Sequence, residues 1–189
     1  MDFNHFLTSY MPDPNIGSKI HFQNMIEQSI LAEKLGYKTV SIPEHHLINL
    51  LMMPSPLQMA VKIAALTKNI SVSTSVAVLP LHDMRTYAGE VSTADILTDG
   101  RLILGVARGA FPWEMERLGT PIEKSKEKFI ESLEVLQKLL AEEEVSYKGK
   151  YYNFDALTIM PRPITQPVPI MIAAMDPKSI KNAASRGFH

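Results

Sequence analysis

Glu44, His45 and His46 stand together in SIPEHHLINLLMMPSP (41–56), directly after a short apolar run that reads as a strand buried on both faces. A carboxylate beside two imidazoles at a strand exit offers a base, an acid or a ligand, and strand exits are where the active sites of parallel α/β proteins collect. Adjacent residues of an extended segment face opposite ways, so the plainest structural expectation has one histidine turned inward to a backbone partner and the other solvated. A metal site is the less favoured reading of this trio, because the HxH strand signature of metal-dependent barrel hydrolases is missing. Two further places invite chemistry. Arg108 stands at the exit of a predicted strand, and Asp176-Pro177-Lys178-Ser179 reads as a helix N-terminus whose backbone N–H groups can hold an anion.

The elements that must position these groups alternate with little between them. Asp2 to Tyr10 reads as a first strand, and His21 to Leu35 as a helix with Phe22, Ile26 and Ile30 on one face, closed by Gly36. Thr39 to Pro43 is a second strand, Leu57 to Lys68 a helix, and Ser71 to Pro80 a third strand rich in Val, Ser and Thr. Asp83 caps a helix whose Tyr87, Val91, Ala94 and Leu97 share a face, with Gly100 beyond its end and a fourth strand over Arg101 to Arg108. Thr120, Pro121 and Glu123 form a capping box ahead of Phe129, Leu133, Leu136 and Leu140. The acidic run Glu142 to Glu144 then opposes the helix dipole. VSYKGKYYNF reads as a hairpin turning at Gly149, outside the main sheet, and the proline-stiffened MPRPITQPVP leads to a fifth strand, Ile170 to Ala173. Asp176 and Pro177 open a fifth helix as N-cap and first helical residue.

With 189 residues and 46% hydrophobic content, the chain can bury a core as a single domain, 1–189. A formal net charge of -1 supplies no basic face for nucleic acid and no polybasic segment for a membrane, so the expected partner is a small molecule. The absence of cysteine excludes disulfides, thiolate metal sites and a cysteine nucleophile, and suits a reducing cytoplasm. Neither a signal peptide nor a bilayer-spanning run is visible, and the expected location is cytoplasmic. Five β-α units in series argue for a mainly parallel sheet with flanking helices. By count alone a doubly wound sheet is complete with five strands, whereas a (β/α)₈ barrel needs three more. The first βα connection, MPDPNIGSK, lacks the glycine-rich dinucleotide fingerprint.

FNHFLTSYMP, SIPEHHLI, STSVAVLPLHDMR, DGRLILGVARG and PRPITQPVPIMIAA occur in the order and spacing of bacterial luciferase-like flavin monooxygenases, and the chain resembles that family over essentially its whole length. The resemblance implies a TIM (β/α)₈-type barrel, here an incomplete barrel of about five β-α units. It also implies reduced FMN at the C-terminal strand ends, a flavin reductase to supply it, and oxygen for the oxidation of a small organic substrate such as a long-chain aldehyde. A homodimer or heterodimer is the expected assembly. F420 is the alternative cofactor, because the barrel is shared with F420-dependent enzymes. Family members continue well beyond the position of His189. The chain is therefore expected to be a fragment, to close its core with a partner, or to be a non-catalytic flavin-binding scaffold.

Carried over by position, the resemblance makes His45 the histidine that assists flavin intermediates by general acid/base work, with Glu44 and His46 assigned to orientation or packing. Ser75-Val76 falls where the family carries a non-proline cis peptide beneath the flavin ring, although Val76 is β-branched where smaller residues often sit. Arg108 matches an arginine that grips the FMN phosphate, and Lys126 stands where relatives often have a second arginine; it keeps the charge but loses the planar fork. Met175 replaces a small hydroxyl residue, with Ser179 as a substitute donor. Ala107 stands where the luciferase α subunit has a reactive cysteine, leaving room beside the isoalloxazine. Phe111 and Trp113 are expected at the mouth of a substrate pocket.

Overall fold

In the computed structural model, which describes residues 1–188, the apolar segments form a parallel sheet with amphipathic helices packed against it. In chain order the elements are β1 (Asn4–Phe6), α1 (Ser18–Lys34), β2 (Thr39–Ile42), α2 (Pro56–Ala64), β3 (Ser71–Thr74), β4 (Ala77–Val78) and α3 (Met84–Leu97). There follow β5 (Leu102–Ala107), α4 (Pro112–Arg117), α5 (Ile122–Ala141), β6 (Val145–Lys148), β7 (Asn153–Leu157), β8 (Ile170–Ile172) and α6 (Pro177–Ser185). The register runs in parallel from Asn4 to Thr39, from Thr39 to Ser71, and from Val72 to Leu102. Farther along β5, Val106 pairs with Ala77 of β4 and Leu104 with Ile170 of β8. Strand three is thus split into β3 and β4 by the Ser75–Val76 peptide, which is cis. Among the described residues β1 and β8 do not pair, and the barrel is not closed.

Consecutive buried residues in the strands follow from cover on both faces. Val40, Ile42, Val72, Leu102, Leu104 and Val106 are fully buried. Helix α5 adds Leu133, Leu136 and Leu140, and each such side chain contributes about 2 kcal/mol of burial. At Gly105 the main chains come closer than any side chain permits, for a Cβ there would lie 2.1 Å from the Thr74 carbonyl oxygen. The Thr74 hydroxyl donates to Gly105 O at 2.7 Å and ties β3 to β5 at that point.

Several local expectations shift. Helix α1 buries His21, Met25, Ser29 and Ala32, one residue earlier than the Phe22, Ile26 and Ile30 stripe, which lies at the rim. Leu97 of α3 is 55% exposed although Tyr87, Val91 and Ala94 of the same face are buried. The capping box does not form, because Thr120 Oγ1 donates to Pro80 O at 3.1 Å and accepts from Lys128 Nζ at 3.1 Å; tertiary partners have claimed the hydroxyl. PWEMER, which carries Trp113, is the short helix α4. Asp83 and Asp176 do cap α3 and α6, and β6 and β7 form the antiparallel hairpin. Glu131 holds that hairpin by accepting the Tyr151 and Tyr152 N–H groups, each at 2.8 Å.

Candidate functional site

Strand β2 ends at Ile42, and Pro43 directs the next three residues across the C-terminal end of the sheet. Glu44 turns inward and is 2% exposed. Its Oε1 accepts hydrogen bonds from His46 Nε2 at 2.6 Å and His82 Nε2 at 2.7 Å, and its Oε2 accepts the Val78 N–H at 3.1 Å. His82 arrives on the 3₁₀ turn after β4 and stacks on Tyr87 with ring centroids 4.4 Å apart. Burial opposes ionisation of Glu44, but the hydrogen bonds from both imidazoles and their charge outweigh it and hold the pKa at about 2. The same hydrogen bond to Glu44 raises the His46 pKa against the opposing effect of burial. His46 therefore finds a side-chain carboxylate rather than the backbone partner expected for an inward histidine.

His45 points away from this trio. Its backbone N–H donates to Met53 O at 2.8 Å, and its ring packs 5.3 Å from Phe111. Ring atom Nδ1 is buried without a hydrogen-bond partner among the described residues, 3.7 Å from Oε2 of Glu114, while the side chain as a whole keeps 23% exposure. Glu114, on α4, is 3% exposed and accepts the His46 backbone N–H through Oε1. Helix α4 thus meets the EHH segment at one backbone atom, His46 N, and one side-chain atom, His45 Nδ1.

Of the remaining predicted positions, Ser75, Val76, Ala107 and Arg108 lie at neighbouring strand ends, Lys126 lies on α5, and Met175 and Ser179 lie at the start of α6. Ser75 and Val76 are half-buried at the β3–β4 junction, and Ala107 is half-buried at the last position of β5. Arg108 is exposed and makes no ion pair or side-chain hydrogen bond among the described residues. Lys126 is exposed on α5, where its charge reaches Asp176 at the start of α6. That helix start is closed by its own residue: Asp176 accepts the Lys178 and Ser179 N–H groups at 3.1 and 3.0 Å and the Ser179 hydroxyl at 2.5 Å. An anion there must displace Asp176, and Ser179 is engaged with the cap. Met175 is 97% exposed.

Sequence reading missed Glu114 and His82. The signals were present in PWEMER, which opens with proline at a helix start, and in LPLHDMR, directly after a strand, but neither spacing reveals which carboxylate each imidazole meets. Glu44, His46 and His82 place three donor atoms within 4.8 Å of one another, the composition of a His₂-carboxylate metal set. Both imidazoles are already engaged with Glu44 Oε1, so the cluster is satisfied as a hydrogen-bonded unit. A cleft of about 1030 Å³ opens between α2 and α3 and reaches Glu44, His82 and Tyr87, but none of Ser75, Val76, Arg108 or Lys126. No helix among the described residues is long and apolar enough to cross a membrane.

Parallel β/α architecture with buried carboxylates and half-buried histidines gathered at the strand exits is the arrangement expected at the C-terminal end of a β/α barrel. The chain belongs to the luciferase-like monooxygenase family, whose profile matches residues 1–188. The oxygenase component of a flavin-dependent trigonelline monooxygenase from Acinetobacter baylyi is 31% identical, over 88% of this chain and 47% of that protein. An F420-dependent glucose-6-phosphate dehydrogenase from Amycolatopsis mediterranei is 30% identical, over 87% of this chain and 51% of that protein. The crystal structure of a monooxygenase from Streptomyces bottropensis superposes with a TM-score of 0.93 at 28% identity, covering all of this chain and 58% of the other. The chain spans about half the length of the curated relatives it matches. The family has flavin- and F420-dependent members.

Proposed function

We propose that the protein is a flavin-dependent monooxygenase, in which reduced FMN and oxygen oxidise a small organic substrate such as a long-chain aldehyde. The observation that carries this reading is His45, a half-open imidazole with one nitrogen buried beside a carboxylate, among strand ends that also present Ser75, Val76 and Arg108, which has no ion-pair partner among the described residues. The residues fit the cofactor: an exposed guanidinium with no acidic partner among the described residues suits a phosphate, and half-buried Ala107 and Val76 suit an apolar ring. Arg108 would hold the phosphate, with Lys126 as a second cation, and Ser75, Val76 and Ala107 would line the ring. Bound reduced FMN supplies the electrons that activate oxygen. His45 takes or returns a proton, Phe111 shields its ring from water, and Glu44 with His46 and His82 keeps the EHH segment in place.

A relative named as an oxygenase component supports a separate reductase as partner. A chain without cysteine suits the cytoplasm, and a homodimer or heterodimer is the assembly we favour. The similarity to an F420-dependent dehydrogenase makes F420 the second reading. An anaerobic fluorescence titration with reduced FMN, oxidised FMN and F420 separates these cofactors, and binding of none of them would favour a scaffold role. His45→Ala is expected to lower turnover by about a hundredfold or more while leaving the flavin Kd within about threefold. Equal losses in turnover and binding would sink the role of His45.

A further inference from the structure

We infer that Glu114 is the positioning residue of His45: its carboxylate holds the proton on Nδ1 and leaves Nε2 as the atom that exchanges protons. The inference rests on His45 being the proton carrier. Its geometric basis is independent of that role. Glu114 is 3% exposed, and its carboxylate has two oxygens with separate duties. Oε1 accepts the His46 backbone N–H, which fixes the carboxylate against the EHH segment. Oε2 lies 3.7 Å from His45 Nδ1, the one ring nitrogen that is buried and unpartnered. No lysine or arginine among the described residues pairs with Glu114; its charge also acts on the His46 imidazole, and His45 Nδ1 is the ring nitrogen that lies next to its Oε2. The 3.7 Å separation is longer than a hydrogen bond, and a small rotation of the imidazole closes it; catalytic hydrogen bonds commonly tighten only when substrate or cofactor is bound.

A carboxylate accepts hydrogen bonds and does not donate when ionised, so a neutral His45 beside it is held as the Nδ1–H tautomer. The alternative is that Glu114 only anchors the loop through His46. Glu114→Gln separates the two. Its amide oxygen must take the place of Oε1 to keep the His46 N–H bond, which turns the NH₂ group towards His45 Nδ1. That nitrogen can then bond only as an acceptor, and the proton moves to Nε2. Loop anchoring survives the substitution and the tautomer does not.

The experiment uses the natural polypeptide, ¹⁵N-labelled, with His45 assigned by its loss in His45→Ala. Long-range ¹H–¹⁵N spectra at alkaline pH, where imidazoles are neutral, are expected to show Nδ1–H in the wild type and Nε2–H in Glu114→Gln. The same variant is expected to lose about tenfold to a hundredfold in kcat, by analogy with carboxylates that orient metal-bound histidines, with its flavin Kd within about threefold. Glu114→Asp keeps a carboxylate and is expected to recover the wild-type tautomer and part of the rate. An Nε2–H tautomer in the wild type, or an unchanged tautomer in Glu114→Gln, overturns the inference whatever the activity. Wild-type turnover in His45→Ala would instead overturn the proton-carrier reading, while the tautomer still reports on Glu114.

Discussion

Replacing Glu44 by Gln should expose how much the strand-end cluster depends on one buried charge. The carboxylate accepts three hydrogen bonds, two from imidazole Nε2 atoms and one from the Val78 N–H. A glutamine side chain has one oxygen, so whichever way it is turned its NH₂ group faces a site that held an acceptor. The pKa of Glu44 is lowered from 4.5 to about 2, which corresponds to about 3 kcal/mol of stabilisation of the folded state where the carboxylate is ionised and the imidazoles are protonated. A similar figure follows from losing one charge-assisted hydrogen bond, at about 1.5–3 kcal/mol. The sign of the pH dependence follows from both partners. The contribution of Glu44, whose folded pKa is depressed, is present above about pH 4.5 and is lost as the pH falls towards 2. That of His46, whose folded pKa is raised, is complete below about pH 6.5 and is lost as the pH rises through the folded value. Urea unfolding of the two proteins should therefore differ most between about pH 4.5 and 6.5, by about 3 kcal/mol, with a smaller gap at alkaline pH. A gap that stays constant or widens on going alkaline would refute an ionised Glu44 paired with a protonated His46.

Two further substitutions test the packing around the same strand ends. Gly105→Ala places a Cβ 2.1 Å from the Thr74 carbonyl oxygen, so the β3–β5 contact must part; a loss of about 3 kcal/mol or more, or failure to fold, is expected, and an unchanged melting temperature would contradict the close approach. Tyr87 is 3% exposed, and its hydroxyl has no hydrogen-bond partner among the described residues. Tyr87→Phe should leave stability unchanged or raise it by about 1 kcal/mol, because it removes a buried polar atom that bonds nothing. A clear loss of stability in urea would reveal a partner for that hydroxyl.

Periodicity served best where burial on one side decides the structure. Helix α5 was legible from Phe129, Leu133, Leu136 and Leu140, and the strands from runs such as VSIP and LILGVA, because those patterns repeat with the geometry of the element itself. Capping was legible where the cap is local. Asp83 and Asp176 bond the N–H groups two or three residues ahead, whereas Thr120 is taken by Pro80 and Lys128, which no nearby residue announces. The stripe of α1 slipped by one residue because Phe22 and Ile26 are only partly buried, and polar Ser29 and His21 occupy inward positions that hydrophobicity does not mark.

By itself the sequence determined the alternation of strands and helices, the absence of thiol chemistry, and the placing of EHH and Arg108 at strand exits, since each of these depends on neighbours along the chain. Family resemblance added the cis peptide and the flavin reading. Only the tertiary structure decided which carboxylate each histidine meets. Glu44 binds His82 from 38 residues away, and Glu114 binds His46 from 68 residues away. Such pairings arise where parallel strands and the turns after them converge, and no spacing along one chain encodes which side chains will share that end of the sheet.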